Sequence, residues 1–511
     1  MRLILTTLTL LLFMNSYAQL TSEWTFRNNE AYNFYPTTNL LTIGNHTYVC
    51  SQSIDVNNSA YIFRIDDSGN QVNYDSIQSF AYSILNDRRM VAAENGHLYV
   101  CGNVEVGSLS KIRLIKYDSL LNRVWDQVIN DTSSVEYEVF GIMYSQVDSA
   151  VCLIGSRFDT MGACLTMKLD GMGQVLWENY SLSSSQISVI DYDIDQFGSV
   201  VVGGHSSDTT GEDMTICKIN SLGNVDWIHT YDGSNHSDDA LMDLCLTDQN
   251  NIATVNRFED SIPIKIMIFD SYGVLKWNQD MGEYYLPAIT TDKAGSVYVA
   301  TLGYFVQTEC IIHKYDSMGN FIKQDSIDIP YYNSNLEYFV SLQTDDSANV
   351  YVLQNADSSS DLRWCFSKMD STLNVQYAFV YPDSIPNPST ASSLLLNNKG
   401  FVIAGAVNNY SELRVVQFSE NIQVSTLEIP NDNSFAIWPN PSRDQLNFKL
   451  QNDNCERGYF IIYDLNGREV MNVPSQPNEL NTINVGYLNP GSYFYHFITE
   501  CNSYKGLFIK M

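Results

Sequence analysis

The chain has 511 residues, and its 28 Lys and Arg against 58 Asp and Glu leave a net charge of −30. Such a surface repels nucleic-acid phosphates and anionic membranes, which sets both aside as partners. A length of 511 residues also exceeds one ordinary core, unless the chain is a closed repeat array.

Residues 1–18 begin with one basic residue (Arg2), continue with an apolar run from Leu3 to Met14 and end in Ser16-Tyr17-Ala18. That order predicts a secretory signal peptide cleaved before Gln19. The run is too short for a membrane anchor, which takes about 20 apolar residues. No later stretch approaches that length without charges, so no transmembrane segment is expected and the mature chain is read as exported, soluble and monomeric.

Two segments then alternate eight times at a spacing of about fifty residues. The first is an apolar strand flanked by Gly, from Gly44–Ser51 to Gly400–Val407. The second is a strand that ends in a basic-apolar-Asp step, turns, and restarts toward an aromatic, as in Lys168-Leu-Asp-Gly-Met-Gly-Gln-Val-Leu-Trp177. The turn positions are Asp66, Asp118, Asp170, Asn220, Asp270, Asp316, Asp370 and Ser419. Asp or Asn there accepts hydrogen bonds from N–H groups two or three residues on, and a following Gly such as Gly173 or Gly223 supplies positive φ. The restarting aromatics are Tyr74, Trp125, Trp177, Trp227, Trp277 and Tyr377. A further segment, acidic at its start in Asp191-Tyr-Asp-Ile-Asp195 and Asp239-Ala-Leu-Met-Asp243, brings each repeat to four strands.

Four short strands per repeat of this length predict an all-β β-propeller over residues 19–429, of eight blades, with seven as the alternative. Near-continuous apolar runs such as Val200-Val-Val fit strands buried on both faces. The lysines two residues before the turn Asp (Lys116, Lys168, Lys218, Lys314 and Lys368, with Arg64 in the first copy) predict an ion pair within each blade. Trp24-Thr-Phe26 is an orphan strand that can complete the last blade. Val424–Ile429 competes for the same place, which leaves the closure open.

Ten cysteines invite a disulfide reading in an exported chain. Most fall at equivalent places on apolar strands (Cys50 and Cys101, Cys164 and Cys310, Cys217 and Cys365), where Cys serves as a small buried hydrophobe. Only Cys455 with Cys501 is a candidate bridge. No Cys-x-x-Cys occurs, so no structural zinc site is expected.

Residues 430–434 read as a polar linker and 435–511 as a small β-sandwich built on Asn-Gly and Pro-Gly turns. Trp438-Pro439-Asn440-Pro441, the strand to Asp464 with Gly467-Arg468, then Gly491 with Tyr493, and the last strand ending at Lys510 resemble the type A sorting domain of the Bacteroidetes type IX secretion system. That resemblance implies the secretion machinery as a partner and a destination at the outer-membrane surface or beyond. Residues 20–430 resemble bacterial β-propeller repeats of the SBBP type, which implies an extracellular binding or scaffold module. The turns are also similar to quinone-dependent dehydrogenase repeats, a family whose axial cofactor and calcium ligands are not assigned to residues of this sequence. Eight Asp-Ser-(Ile/Leu/Met/Ala) steps, among them Asp75 and Asp260, resemble an O-glycosylation sequon, and they equally suit turns.

No histidine pair has ligand spacing, and no nucleophile elbow or phosphate loop occurs. No catalytic residue, cofactor or metal is therefore assigned. Asp191, Asp193, Asp195, Asp239 and Asp243 are the acids an axial active site could use. The leading expectation is a binding or adhesion module for an extracellular glycan or protein. The alternative is a secreted polysaccharide hydrolase or lyase with its site at the axis.

Overall fold

The computed structural model describes residues 19–421 and 435–510, apart from 29–33, 54–58, 79, 81–87, 130–133, 159–162, 181–186, 208–210, 234–237, 259–263, 283, 304–309, 328–335, 358–361, 382–389, 408–411, 440–441, 451–457, 464–468, 477–479, 490 and 500–502. The signal peptide, Val424–Ile429, Cys455 and Cys501 lie outside them. The chain forms two compact units, residues 17–421 and a unit containing 422–511.

The first unit is all β, with eight four-stranded antiparallel sheets among the described residues. Sheets 1 to 7 each take four consecutive strands. In sheet 4 these are Ile187–Ile194, Val200–Ser207, Glu212–Ile219 and Val225–Tyr231, in that spatial order. The first strand of each sheet packs beside the first strand of the next. The series returns from Thr390–Asn397 of sheet 8 to Phe34–Ile43 of sheet 1, which closes a propeller ring. The third strand of sheet 3, Ala163–Leu169, is buried along its whole length, because neighbouring sheets cover both faces.

The ring is closed by its first strand. Gln19–Asn28 pairs antiparallel with Glu412–Asn421 and becomes the outer strand of sheet 8. Trp24 and Phe26 then pack with Val49, Phe63 and Ile65 of sheet 1 and with Val402 and Val415 of sheet 8.

The turn between third and fourth strands is the same in seven sheets. In sheet 3, Asp170 Oδ1 accepts the N–H groups of Met172 and Gln174 at 2.8 and 2.9 Å, and Gly173 N–H donates to the Asp170 carbonyl at 3.0 Å. Asp66, Asp118, Asn220, Asp270, Asp316 and Asp370 repeat it. The acceptor thus serves positions two and four residues on, rather than two or three. The five-residue loop also recurs between first and second strands, under Asp195, Thr247, Asp292 and Asp345.

Neighbouring sheets meet at these turns. Trp177 Nε1–H donates to Ser221 O in the next sheet at 3.0 Å, and Trp125, Trp227 and Trp277 do the same to Gly171, Ser271 and Ser317. The indole lies over the turn glycine: a Cβ on Gly223 would fall 2.7 Å from Trp177, on Gly319 2.7 Å from Trp277, and on Gly69 2.7 Å from Trp24. Trp24 therefore covers the turn glycine of sheet 1 as a fourth-strand Trp does elsewhere.

Sheet 7 has Tyr377 in place of the Trp, and two further junctions lack the aromatic there altogether. Opposite Arg64 the register places Asn73, so Tyr74 is one position out of phase and lies exposed. Asn73 Nδ2–H donates to Leu120 O at 2.8 Å, and at the other junction Lys323 Nζ donates to Thr372 O at 3.2 Å. In both, the turn glycine becomes a buried leucine at positive φ, Leu121 at 68° and Leu373 at 61°. The leucine fills the volume that an indole would occupy.

Among the described residues the repeated lysines form no salt bridge with the turn aspartates, whose Oδ1 atoms accept the N–H groups of their own loops. Lys116, Lys168, Lys218 and Lys314 reach across to carbonyls of the next sheet's turn. Where the second strand supplies a tyrosine, the ammonium also lies over its ring (Lys116 on Tyr99, Lys314 on Tyr298, Lys368 on Tyr351). Where it does not, an acid of the first hairpin takes the charge: Asp148 for Lys168, and Asp195 for Lys218 at 2.8 Å.

The eight cysteines described form no disulfide among the described residues, and seven of them are buried. The second unit packs Phe435–Trp438, Gln445–Leu450 and Asn481–Asn484 as one sheet, and Glu469–Ser475, Gly458–Tyr463, Gly491–Thr499 and Ser503–Lys510 as another. Phe448, Phe460 and Phe497 are central in its core, with Phe448 and Phe460 stacked at 4.1 Å.

Gly223 has φ 87°, so Gly223→Ala meets both backbone strain and the indole. The expected cost is about 2 kcal/mol. Chemical denaturation of Gly223→Ala, Trp177→Ala and the double variant checks it: the double variant should lose less than the sum, because removing Trp177 clears the collision.

Candidate functional site

The innermost strand of each sheet is an edge, with N–H groups that no ladder satisfies. Bulges at matching positions, between Val139 and Gly141, Val189 and Asp191, and Leu241 and Asp243, turn further backbone groups toward the axis. Three predicted acids meet this demand in one way. Asp191 accepts Tyr192 N–H at 2.8 Å on one oxygen and Leu244 N–H of the next sheet at 3.1 Å on the other. Asp193 does so with Ile194 at 2.8 Å and Leu246 at 3.2 Å, and Asp243 with Leu244 at 3.0 Å and Ile289 at 2.8 Å. Each carboxylate thus serves its own strand with one oxygen and the neighbouring sheet with the other. In the first sheets, Asn39 Oδ1 accepts from Arg89 and Met90, and the Arg88 carbonyl accepts Ile142 N–H at 2.8 Å.

Arg88 enters the axis from the connection before sheet 2. Its guanidinium donates to the Tyr192 carbonyl, lies 3.6 Å from Asp191 and sits 5.2 Å from the centre of the Tyr192 ring. Its side chain keeps 43% of its surface open. Tyr192 is fully buried, and a Cβ on Gly141 would fall 1.5 Å from its hydroxyl, so that position must be glycine.

The electrostatics follow. Burial lifts the Asp193 carboxyl above the usual range, against Arg88 and its N–H donors. Burial, and then the adjacent Asp191, lifts Asp243 well above it, and the two carboxyls are close enough to share a hydrogen bond. The surrounding protein opposes the charge on Arg88, but Asp191, Asp193 and Asp243 outweigh that and keep it charged.

The other two acids are placed elsewhere. Asp195 caps the first hairpin of sheet 4, with Oδ1 accepting Phe197 and Ser199 N–H at 2.9 and 2.8 Å. Asp239 opens the first strand of sheet 5, where its carboxylate accepts Gly233 N–H. One oxygen each of Asp213, Asp232 and Asp239 lies within 4.8 Å of the other two, and Asp213 and Asp239 are buried. This donor set suits a hard divalent cation such as calcium, with further oxygens completing the shell. Neither Arg88 nor the Asp213–Asp232 contribution was legible beforehand, since each joins separate strands or connections without a shared spacing.

The two ends of the ring differ. Both families of tight loop, between strands one and two and between strands three and four, leave one end. Strand alternation puts the second-to-third and sheet-to-sheet connections at the other end, which Asp213, Asp232 and Asp239 also occupy.

In the second unit Trp438 is exposed and joined to Pro439 by a cis peptide bond. Tyr493 is buried with its hydroxyl on Asn489 O at 2.9 Å, and Lys510 pairs with Gly491 and bridges to Ser442. Asn440, Pro441, Asp464, Gly467 and Arg468 lie outside the described residues. Residues 436–510 match the family described as a secretion system C-terminal sorting domain. The second unit is a type IX sorting domain. A sorting domain implies handling by the type IX machinery and export to the cell surface or the extracellular space.

Solved structures similar to the chain include the Dos1 propeller, 10% identical, covering 80% of this chain and 97% of that one at a TM-score of 0.47. Another is polysaccharide lyase Uly1, 9% identical, covering 68% and 99% at 0.45. A third is puromycin hydrolase, 9% identical, covering 74% and 58% at 0.44. No curated protein matches the chain.

The two sets of aspartates oppose each other in pH dependence. Asp193 and Asp243 have raised native pKa values, so the stability they add is complete below about pH 4 and is lost as pH rises through those values. Asp370 shows the reverse: its donors, led by Asn374 N–H, outweigh burial and hold it at about 2, so its contribution is lost as pH falls from 4 toward 2. Thermal unfolding from pH 2 to 8 should therefore peak in mildly acid buffer. Asp243→Asn should flatten the decline toward neutral pH, while the backbone N–H it orphans costs about 1–3 kcal/mol throughout.

Proposed function

We propose that residues 19–421 form a monomeric recognition module at the cell surface or in the medium, holding an extracellular glycan or protein on the end with the sheet-to-sheet connections. Residues 1–18 are the signal peptide in this reading, and the sorting domain carries the folded chain out. The observation that carries it is the asymmetry of the ring. One end is made of near-identical hydrogen-bonded loops, whereas the other carries connections of unequal length, the kind of segment on which a rigid scaffold places binding residues. The charge of −30 favours an uncharged or cationic ligand over a polyanion.

The axis supports recognition over hydrolysis. Glycosidases keep two carboxyls about 5–9.5 Å apart with the sugar between them. Asp191 and Asp243 instead approach to hydrogen-bonding range, and every oxygen of Asp191, Asp193 and Asp243 accepts a backbone N–H.

The exported chain, applied to an array of neutral and acidic polysaccharides and matrix proteins, should retain at least one class without shortening it. Depolymerisation that Asp191→Asn abolishes would replace this reading with the hydrolase or lyase. In a host with the type IX machinery, deletion of residues 435–511 should leave the chain inside the cell envelope. Release of that truncated chain into the medium would contradict the assigned route.

A further inference from the structure

The junction between sheets 1 and 2 is built from groups that titrate, where its neighbours use groups that do not. Two residues after the tryptophan, sheets 2, 3 and 5 carry Gln127, Asn179 and Gln279, neutral amides that donate to a carbonyl of the next turn at 3.2, 2.7 and 3.1 Å. At the matching register sheet 1 has Asp75. Asp75 accepts from sheet 2 instead, taking the Tyr117 hydroxyl at 2.7 Å and the Arg123 guanidinium. Arg123 and Arg113 also donate to the carbonyls of Ser76 and Gln78 at 3.0 and 3.1 Å, and Asp126 accepts from both arginines.

The lysine column differs here as well. Arg64 takes its place, with the guanidinium 2.9 Å from His46 Nε2 and 3.3 Å from the Tyr48 hydroxyl, and that hydroxyl donates to Ser119 O in the turn of sheet 2. A guanidinium can only donate, so His46 Nε2 accepts and the imidazole is neutral. Burial, and then Arg64, lower the His46 pKa against the pull of Asp67 and Asp66 in the adjoining turn. Lys399 of sheet 8 pairs with Asp67 at 2.9 Å, and Asp118 of sheet 2 faces Tyr48. Apolar contact at this junction is also reduced. Asn73 stands where the indole would be, and the inner strand of sheet 2, Met90–Ala92, has three residues where that of sheet 4 has eight.

We propose that this junction is an acid-sensitive seam: protonation of His46 and Asp75 parts the turn ends of sheets 1 and 2 while the junctions built on indole and amide hold. A protonated His46 sets a second cation against Arg64 and removes its acceptor, so the guanidinium can no longer support Tyr48 on Ser119 O. A protonated Asp75 gives up the charge that holds Arg123. Both changes act in the same direction. The His46 pKa is depressed in the folded chain, so its contribution is complete above about pH 6.5 and is lost as pH falls below that. Between sheets 3 and 4, the Trp177 indole and the Asn179 amide meet carbonyls, and none of these groups titrates.

Each of these junctions holds its own buried cysteine. Cys50 lies in the core shared by sheets 1 and 2, Cys101 in that of sheets 2 and 3, and Cys164 and Cys217 in that of sheets 3 and 4. The test labels the full exported chain with 4,4′-dithiodipyridine, which reacts with thiols in acid as well as at neutral pH. Peptide mass spectrometry gives the rate at each cysteine relative to the unfolded chain at the same pH. Asp193 and Asp243 move global stability the other way over this range, so the local readout separates the two effects. From pH 7.5 to 5.0 the relative rate of Cys50 should rise by about fivefold or more, with the other three unchanged. His46→Gln, which offers Arg64 an acceptor that does not titrate, should remove most of that rise and leave the rate at pH 7.5 as it was. Asp75→Asn should speed Cys50 already at pH 7.5 and shrink the further rise in acid. A Cys50 no faster at pH 5.0, four cysteines that speed up together, or the full rise kept in His46→Gln would each overturn the proposal.

Discussion

The ring depends on the contact between an aromatic of one sheet and the turn of the next. A four-stranded sheet cannot bury both faces alone, so each sheet needs a neighbour at a defined angle and height. The indole sets both. Its N–H donor fixes height through one carbonyl, as Trp177 does on Ser221, and its face sets the approach by resting on the backbone of a residue with no side chain. Because Trp24 makes the same contact with Gly69, the last junction is built like the internal ones. The first strand closes the ring with contacts that the repeat already uses.

The exceptions show that volume is the constraint, with residue type secondary. Asn73 and Lys323 keep the donor to the next turn and give up the aromatic face, and Leu121 and Leu373 then occupy the space from the other side. A leucine at positive φ costs about 1–2 kcal/mol in backbone strain. Full burial of a Leu side chain gains about 1.5–3 kcal/mol, so the exchange can hold its ground. A buried core at close-packed density tolerates either pairing and would not tolerate two large or two small partners.

What was legible in the sequence was whatever repeats at short range. The turn acceptors, their glycines and the tryptophans recur at fixed local offsets, so the hairpins and the fold class could be read from the chain, and Trp24 stood out because its strand had no hairpin of its own. Tyr74 misled because an aromatic stands beside the expected position, while the register that selects Asn73 is set across the strand pair. The lysines were read only in part: Lys168 and Lys218 do pair with an acid of their own sheet, but that acid is in the first hairpin, and the carbonyl that Lys116 reaches lies 55 residues along the chain. The acids of the axis were visible as acids, yet their role needed the inner edge, its bulges and Arg88 from a connection without periodicity.

Those axial acids show how one composition serves two opposite electrostatic ends. At the turn rim an aspartate meets backbone N–H groups and side-chain amides near water, and its pKa falls, as in Asp316 and Asp370. At the axis an aspartate meets the same kind of donor inside protein and beside other carboxyls, and its pKa rises, as in Asp193 and Asp243. Hydrogen bonding is common to both sites, so the surroundings decide the sign. A surplus of acid in this chain is therefore not a uniform coat. Part of it is consumed in satisfying the edges that every open sheet presents, and Arg88 makes the densest part tolerable. The acids of the turn rim, by contrast, stay ionised beside water, as Asp118 and Asp316 do.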